Sequence, residues 1–166
     1  MDTYQRIEEI VASMFDRPTT TRKAVGDFML SETHAVNVKS NNVKKQNYSP
    51  NMISIQKLHD WVFDGRKQLS FIFVDYSEEN GELKILNEIK LIPVEQISWE
   101  CLTIEAQGVG VIQRNKPLIV NPAQTMHEFY MGFKTAYQKF LDKEAKKHLK
   151  FSERLIEDSE SFFAKY

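Results

Sequence analysis

The run Leu-Ser-Phe-Ile-Phe-Val-Asp-Tyr, residues 69–76, constrains the fold most. It is the most strand-like stretch of the chain and apolar enough to sit centrally in a sheet. Asn80-Gly81 follows it and marks a tight hairpin turn. Residues 83–92 return as the next strand, with Leu83, Ile85, Ile89 and Leu91 on one face, until Pro93 interrupts it.

Other segments fall around this hairpin. Residues 4–15 read as an amphipathic helix, with Tyr4, Ile7, Val11 and Met14 in a stripe beside Ile10. Asp2 or Thr3 caps it, and it ends before Pro18. Residues 25–30 read as a strand. Residues 35–39 alternate like one too, with Val36 and Val38 on one face and Asn37 and Lys39 on the other. Residues 40–51 read as a polar, aromatic loop. Apolar positions then move to helical spacing, so residues 52–63 are predicted helical and closed by Gly65. In residues 102–113, Gly108-Val109-Gly110 marks a bulge or a close backbone approach. It has too few glycines for a dinucleotide site, so no organic cofactor is expected. Asn121-Pro122 opens a helical region to Tyr166. Met126, Phe129, Phe133 and Phe140 form one stripe there, and Leu149, Leu155, Ile156 and Phe162 repeat the habit.

At 166 residues the chain is expected to form one domain with a sizeable core. Its one cysteine, Cys101, excludes an internal disulfide and reads as a buried structural thiol. No signal peptide and no apolar run of membrane-spanning length is present, so the cytoplasm is the expected compartment. A net charge of −1 argues against a non-specific coat for nucleic acid, though not against a focused basic groove. From Thr33 to His59 there are four lysines and two histidines but no acid, which points to an anionic partner. The cluster Lys143, Lys146, Lys147, His148 and Lys150 reads as a solvated helix face, with phosphate contact as the alternative.

Two groups of residues carry candidate chemistry. Asp27 lies mid-strand between Gly26 and Phe28, where an unpartnered acid is costly to bury. It is either an exposed edge or turn residue, or a metal ligand. Nine residues separate it from Asn37-Val38-Lys39, which suits two neighbouring strands joined at Ser31-Glu32-Thr33. The rival is Asp75 with Glu88 and Lys90, an acid and an E-x-K on adjacent strands. Those last two residues also suit the wet face of an amphipathic strand.

Val38-Lys39, Asn42, Pro50-Asn51, Ile53-Ser54 and Lys57-Leu58 run without a gap in a pattern that resembles the active-site and recognition segment of HincII-type restriction endonucleases. Those enzymes belong to the PD-(D/E)xK nuclease superfamily. The resemblance is strongest over residues 36–58, thinner from Asp27 to Gln113, and absent from the C-terminal helices. It implies an α/β fold with a mixed central β-sheet flanked by helices and a helical C-terminus. It implies a homodimer on double-stranded DNA, since a two-fold protein matches a palindromic site. It implies Mg²⁺ held by Asp27 and Asn37, with Lys39 beside them in catalysis. Asn37 stands where the family usually has Asp, so weakened cleavage, or a catalytically inactive DNA-binding module, is expected. The resemblance makes Asn41, Asn42, Lys44, Lys45, Gln46, Tyr48, Asn51 and Ser54 the DNA-contacting residues. Gln107 and Gln113 join them by weaker similarity. Amides donate and accept together at a base edge, lysines neutralise phosphates, and a tyrosine stacks on bases. In the resembling enzymes the 69–92 hairpin is framework. Glu8 or Glu9 is either solvated charge or, as in some nuclease-fold members, an acid facing the metal site.

Overall fold

The structure is a computed structural model that describes residues 2–20, 24–45 and 48–165. The expectation for Gln46, and that for the helix end at Tyr166, lie outside the described residues. In chain order the principal elements are α1 (Thr3–Met14), β1 (Phe28–Ser31), β2 (His34–Asn42), β3 (Asn51–Ser54), α2 (Ile55–Leu58), β4 (Gln68–Glu79), β5 (Glu82–Ile85), β6 (Ile92–Pro93), β7 (Leu102–Glu105), β8 (Val111–Arg114) and α3 (Met126–Phe163).

The central sheet is mixed. β1 and β2 form an antiparallel hairpin, and β2 runs parallel to β4 from His34 opposite Gln68 to Asn42 opposite Tyr76. β5 and β6 both lie antiparallel along the far side of β4. A smaller antiparallel sheet has the order β3-β8-β7. β4 is central, as its two apolar faces demand, and each face has its own cover. Val36 and Val38 of β2 join Ile72 and Val74 of β4 under Ile7, Val11 and Ala12 of α1. Ala35, Leu69 and Phe71 point the other way, into a core shared with Met52 and Ile53 of β3, Leu58 of α2, Ile112 of β8 and Phe129 of α3. A strand's alternation puts Asn37 and Lys39 on this second face, beside Ala35, as the sequence pattern implied.

α1 starts at Asp2, whose carboxylate accepts from the Gln5 N–H at 2.8 Å while the Gln5 side chain accepts from the Asp2 N–H. This reciprocal capping satisfies two otherwise orphaned donors. The buried stripe is narrower than the sequence suggested: Ile7 and Val11 are covered, whereas Tyr4 and Met14 stay exposed.

Four boundaries differ from expectation. β2 continues through Asn42, because parallel pairing with β4 satisfies its backbone well past Lys39. Residues 51–54 are strand rather than helix. They pair with β8, and the Ser54 hydroxyl then accepts from the Lys57 N–H at 3.2 Å to start α2, which runs on as a π-helical turn (His59–Phe63). β5 stops at Ile85 because the Asn87 side chain takes over the sheet edge. Its Oδ1 accepts from the Asp75 N–H at 2.7 Å, and its Nδ2 donates to the Phe73 carbonyl at 2.8 Å. Gly108 and Gly110, both at positive φ, lie in the turn between β7 and β8 rather than within a strand, and Gly110 makes the close approach offered as the alternative to a bulge: its carbonyl accepts from the Ile55 N–H at 3.0 Å, and a Cβ there would lie 2.7 Å from the Ile55 side chain.

The C-terminal region is one 38-residue helix where several were expected. Thr125 and Glu128 cap it reciprocally. Phe129 and Phe133 pack against Phe63 and Trp99, and the Trp99 Nε1–H donates to the Phe129 carbonyl at 3.0 Å. Burying each such ring stabilises the fold by about 1.5–3 kcal/mol. Gly132 makes the close seat possible, since a Cβ there would lie 2.4 Å from the Trp99 ring.

Candidate active site

A cleft of about 840 Å³ opens between the start of β1, the middle of β2, α1, and the β3–α2 junction. Its lining brings together Glu8, Asp27, Asn37, Lys39, Asn51, Ser54 and Lys57 from four separate stretches of chain.

Gly26 is what lets Asp27 lie against β2. A side chain at Gly26 would press within 2.8–2.9 Å of the Val36 backbone. With that approach free, the Asp27 N–H donates to the Val36 carbonyl at 2.7 Å, and its Oδ2 accepts from the Val38 N–H at 2.6 Å. Thr20 flanks the same bend: its hydroxyl donates to the Gly26 carbonyl and its N–H to the Asp27 carbonyl. Asp27 is thus held just before β1 proper, with Oδ2 engaged and, among the described residues, no hydrogen bond to Oδ1. One residue before Val38 on β2, the Asn37 Nδ2 donates to the Val25 carbonyl at 3.2 Å. Lys39 follows on the same face.

The electrostatics are set by burial. It raises the Asp27 pKa, against the Val38 N–H and the Lys39 and Lys57 ammoniums, which favour the charged form. It lowers the Lys39 pKa, against the attraction of Asp27 and Glu8. Glu8 is pushed up to about 7, first by burial and next by the neighbouring charge of Asp27. Among the described lining residues four carboxyl groups, Asp2, Glu8, Glu9 and Asp27, face two ammoniums, Lys39 and Lys57. Such a cleft favours a cation or a proton, and a bare phosphate meets net negative charge there.

The donor set is oxygen only: Asp27, Glu8 and the amide of Asn37. That chemistry suits a hard divalent ion such as Mg²⁺. Among the described residues no three His, Cys, Asp or Glu side chains group as a metal site. With an uncharged amide among its three donors, the set offers a divalent ion less charge than three carboxylates would.

Asn51, exposed at the start of β3, also lines the cleft, and its Oδ1 accepts from the Gln113 Nε2 at 3.1 Å. The two amides present one joint donor–acceptor edge. Ser54 lines the cleft too, but its hydroxyl is already used as the helix cap.

The remaining residues expected to touch DNA lie elsewhere. The Asn41 Nδ2 donates to Asp75 Oδ1 at 3.1 Å on the same sheet face, and the Asn42 Oδ1 accepts from the Lys44 N–H at 3.1 Å. Lys44 reaches Glu79 at 3.0 Å, and Lys45 is exposed. Tyr48 is half-buried with the Arg114 guanidinium over its ring, 5.2 Å from the centroid, so one face of the ring is taken. Burial raises its pKa to about 12. Gln107 lies in the β7–β8 turn, away from the cleft.

The rival group does not converge. Glu88 and Lys90 pair with each other at 3.4 Å in solvent, while the Asp75 carboxylate is held by Asn41. Lys57 lines the cleft; it belongs to the matched pattern, but the sequence reading assigns it no contact. The signal that could have found it is its place in the acid-free stretch, one turn after the Ser54 cap.

No protein-family model and no curated protein sequence matches the chain. Its fold is similar to that of the NlaIV restriction endonuclease, at 12% sequence identity and a TM-score of 0.49, over 86% of this chain and 72% of that one.

Proposed function

We propose that the cleft is the phosphodiester site of a type II restriction endonuclease acting on double-stranded DNA, weakened by Asn37. The observation that carries this reading is the convergence of Asp27, Lys39 and Glu8 in a single cleft that Asn51 also lines, its amide bonded to that of Gln113. The first three are groups that act on a phosphate, and the amides are groups that read base edges. Bound Mg²⁺ would supply activated water and charge neutralisation at the scissile phosphate. Asp27 offers its carboxylate to the cleft and Lys39 its ammonium to the phosphate. Asn51 and Gln113 fix the base register. The chain acts as a homodimer, one cleft for each strand of a palindromic site.

Asn37 brings an oxygen donor without a charge, and its Nδ2 is occupied in tying β2 to Val25. Asn37→Asp would restore the charge. It would also lose that donor and set a carboxylate near a carbonyl, at a cost of about 1–3 kcal/mol in stability. The expected result is a folded variant with a lowered melting temperature.

The test starts from duplexes selected by binding from a random pool. Their cleavage is followed for the native chain and for Asn37→Asp, with and without Mg²⁺. Cleavage only with Mg²⁺, much faster in the Asp form, supports the reading. Site-specific binding with both forms inert supports the alternative, a DNA-binding module without activity, which the amide at position 37 favours. No duplex selected at all rejects both.

A further inference from the structure

α3 is nearly twice as long as its own packing requires. Its buried residues are Phe129 and Phe133, and the last ring contact near the body of the fold is the stack of Tyr137 on Phe140. Beyond it, residues 141–163 are exposed along almost their whole length. At 1.5 Å per residue this is an arm of roughly 35 Å. Helices in proteins take most of their stability from packing one face, so a bare arm of this length calls for a partner.

The arm has a face to offer. Ala145, Leu149, Ser152, Ile156, Ser159 and Phe163 recur at alternating steps of four and three, the spacing of a two-helix seam. The large members are open to solvent: Leu149 is 65% exposed, Ile156 56% and Phe163 70%. The intervening members, Ala145, Ser152 and Ser159, are all small.

Charge is divided along the arm. Residues 142–150 hold four lysines against Asp142 and Glu144, a net +2, whereas residues 153–160 hold four acids against Arg154, a net −3. The pairs within the arm, His148 with Glu144 at 3.6 Å and Arg154 with Asp158 at 4.0 Å, are exposed and leave this division in place.

We propose that residues 141–163 pair antiparallel with the same segment of a second copy of this chain. Two observations select that occupant and direction. Antiparallel pairing lays each lysine-rich half on an acidic half, whereas parallel pairing stacks like on like. It also sets large on small in every layer: Leu149 against Ser159, Ile156 against Ser152, Phe163 against Ala145. Parallel pairing would face Leu149, Ile156 and Phe163 each with itself. Lys146 of one copy then lies by Glu160 of the other, and the like-charge approach on that edge is Glu153 with its own copy at the two-fold axis. The inference stands apart from the nuclease reading and holds whether or not the cleft cuts DNA.

The test is the mass of the full-length protein without DNA, by sedimentation equilibrium over a range of concentration and salt. The native chain is expected to be a dimer that weakens as salt rises. Leu149→Asp with Ile156→Asp should yield monomer with an unchanged thermal transition of the sheet domain. Lys146→Glu should weaken the dimer several-fold, and adding Glu160→Lys should restore it. Ala145→Cys should give no cross-link on oxidation, because the two copies of this residue lie roughly 27 Å apart in the antiparallel dimer. A native chain monomeric at every concentration, a dimer indifferent to the Asp pair, or an efficient Ala145→Cys cross-link each overturns the proposal.

Discussion

The two acid-and-lysine groups in this chain part company once folded. Asp75, Glu88 and Lys90 have the intact residue types, yet Asn87 seizes the edge of β4 and turns Glu88 and Lys90 out to pair in solvent. Asp27, Asn37 and Lys39 lack one carboxylate, yet a glycine at position 26 presses Asp27 against β2, and α1 and the β3–α2 junction wall them in. Residue type and spacing name candidates, and enclosure is what sets the two groups apart. Enclosure is also what moves the ionisation of Asp27, Lys39 and Glu8 away from ordinary values, a physical mark common at working sites.

The sharpest way to break this contrast is to remove one acid from each group in the Asn37→Asp background. Asp27→Ala should abolish Mg²⁺-dependent cleavage, a loss of at least about 10²-fold, or roughly 2.7 kcal/mol of transition-state stabilisation. Glu88→Ala should leave the rate within about two-fold, since it removes a surface pair that contributes about 0–1 kcal/mol to folding. Rates on a selected duplex decide it: equal losses would mean the two groups act together, and the reverse order would move the centre to the hairpin.

The same contrast shows how far the sequence can be read. β4, its turn at Asn80-Gly81 and the faces of β2 are legible, because alternation and turn chemistry are local. Cys101 is likewise legible as a buried thiol. The junction at residues 51–54 is not. Its apolar spacing suits a helix, and the pairing with β8 that makes it a strand comes from about sixty residues away. Glu8 has two readings in the sequence, and only the packing of α1 shows that it lines the cleft beside the buried turn of Val11 and Ala12. The loop lysines and Tyr48 stand out through composition. Composition carries no direction, and the chain turns them away from the cleft.

The two roles of the cleft can be separated by a smaller effect. Asn51→Ala should weaken binding to the selected duplex by about 1–3 kcal/mol, roughly five- to 150-fold, and relax the preference at one base pair. Ser54 caps α2, so the helix should be unaffected and the melting temperature close to native. Uniform weakening on every sequence would show that Asn51 shapes the wall without reading a base. Lys44→Ala with Lys45→Ala should do less. Lys44 is already tied to Glu79. If the two lysines meet phosphate, the slope of log affinity against log salt falls by about 0.9 for each phosphate they no longer neutralise, while the base preference is unchanged. An unaltered slope would assign both residues to the surface alone.

The smallest effect tests the electrostatic side of the contrast. Glu8 titrates near pH 7 in the folded chain, against 4.5 for the free side chain, because burial and the Asp27 charge disfavour its ionised form. Below pH 7 it is neutral, and a phosphate entering the cleft meets one negative charge fewer. Without metal, DNA affinity should therefore fall as pH rises from 6 to 8, by a few-fold given the partial exposure of the group. Folding stability has the same sign. The native state binds this proton more tightly than the unfolded chain does, so its contribution is fully present below about pH 4.5 and lost as pH rises through about 7. Glu8→Gln fixes the neutral form and should flatten both trends, with affinity at pH 8 rising toward the pH 6 value. Glu88→Gln changes a solvated carboxylate outside the cleft and should leave both curves as they are. Fluorescence-anisotropy titrations across pH in the presence of a chelator read the binding limb, and thermal melts read the stability limb. If Glu8→Gln keeps the native pH profile, the proton belongs to another group and Glu8 is only part of the wall.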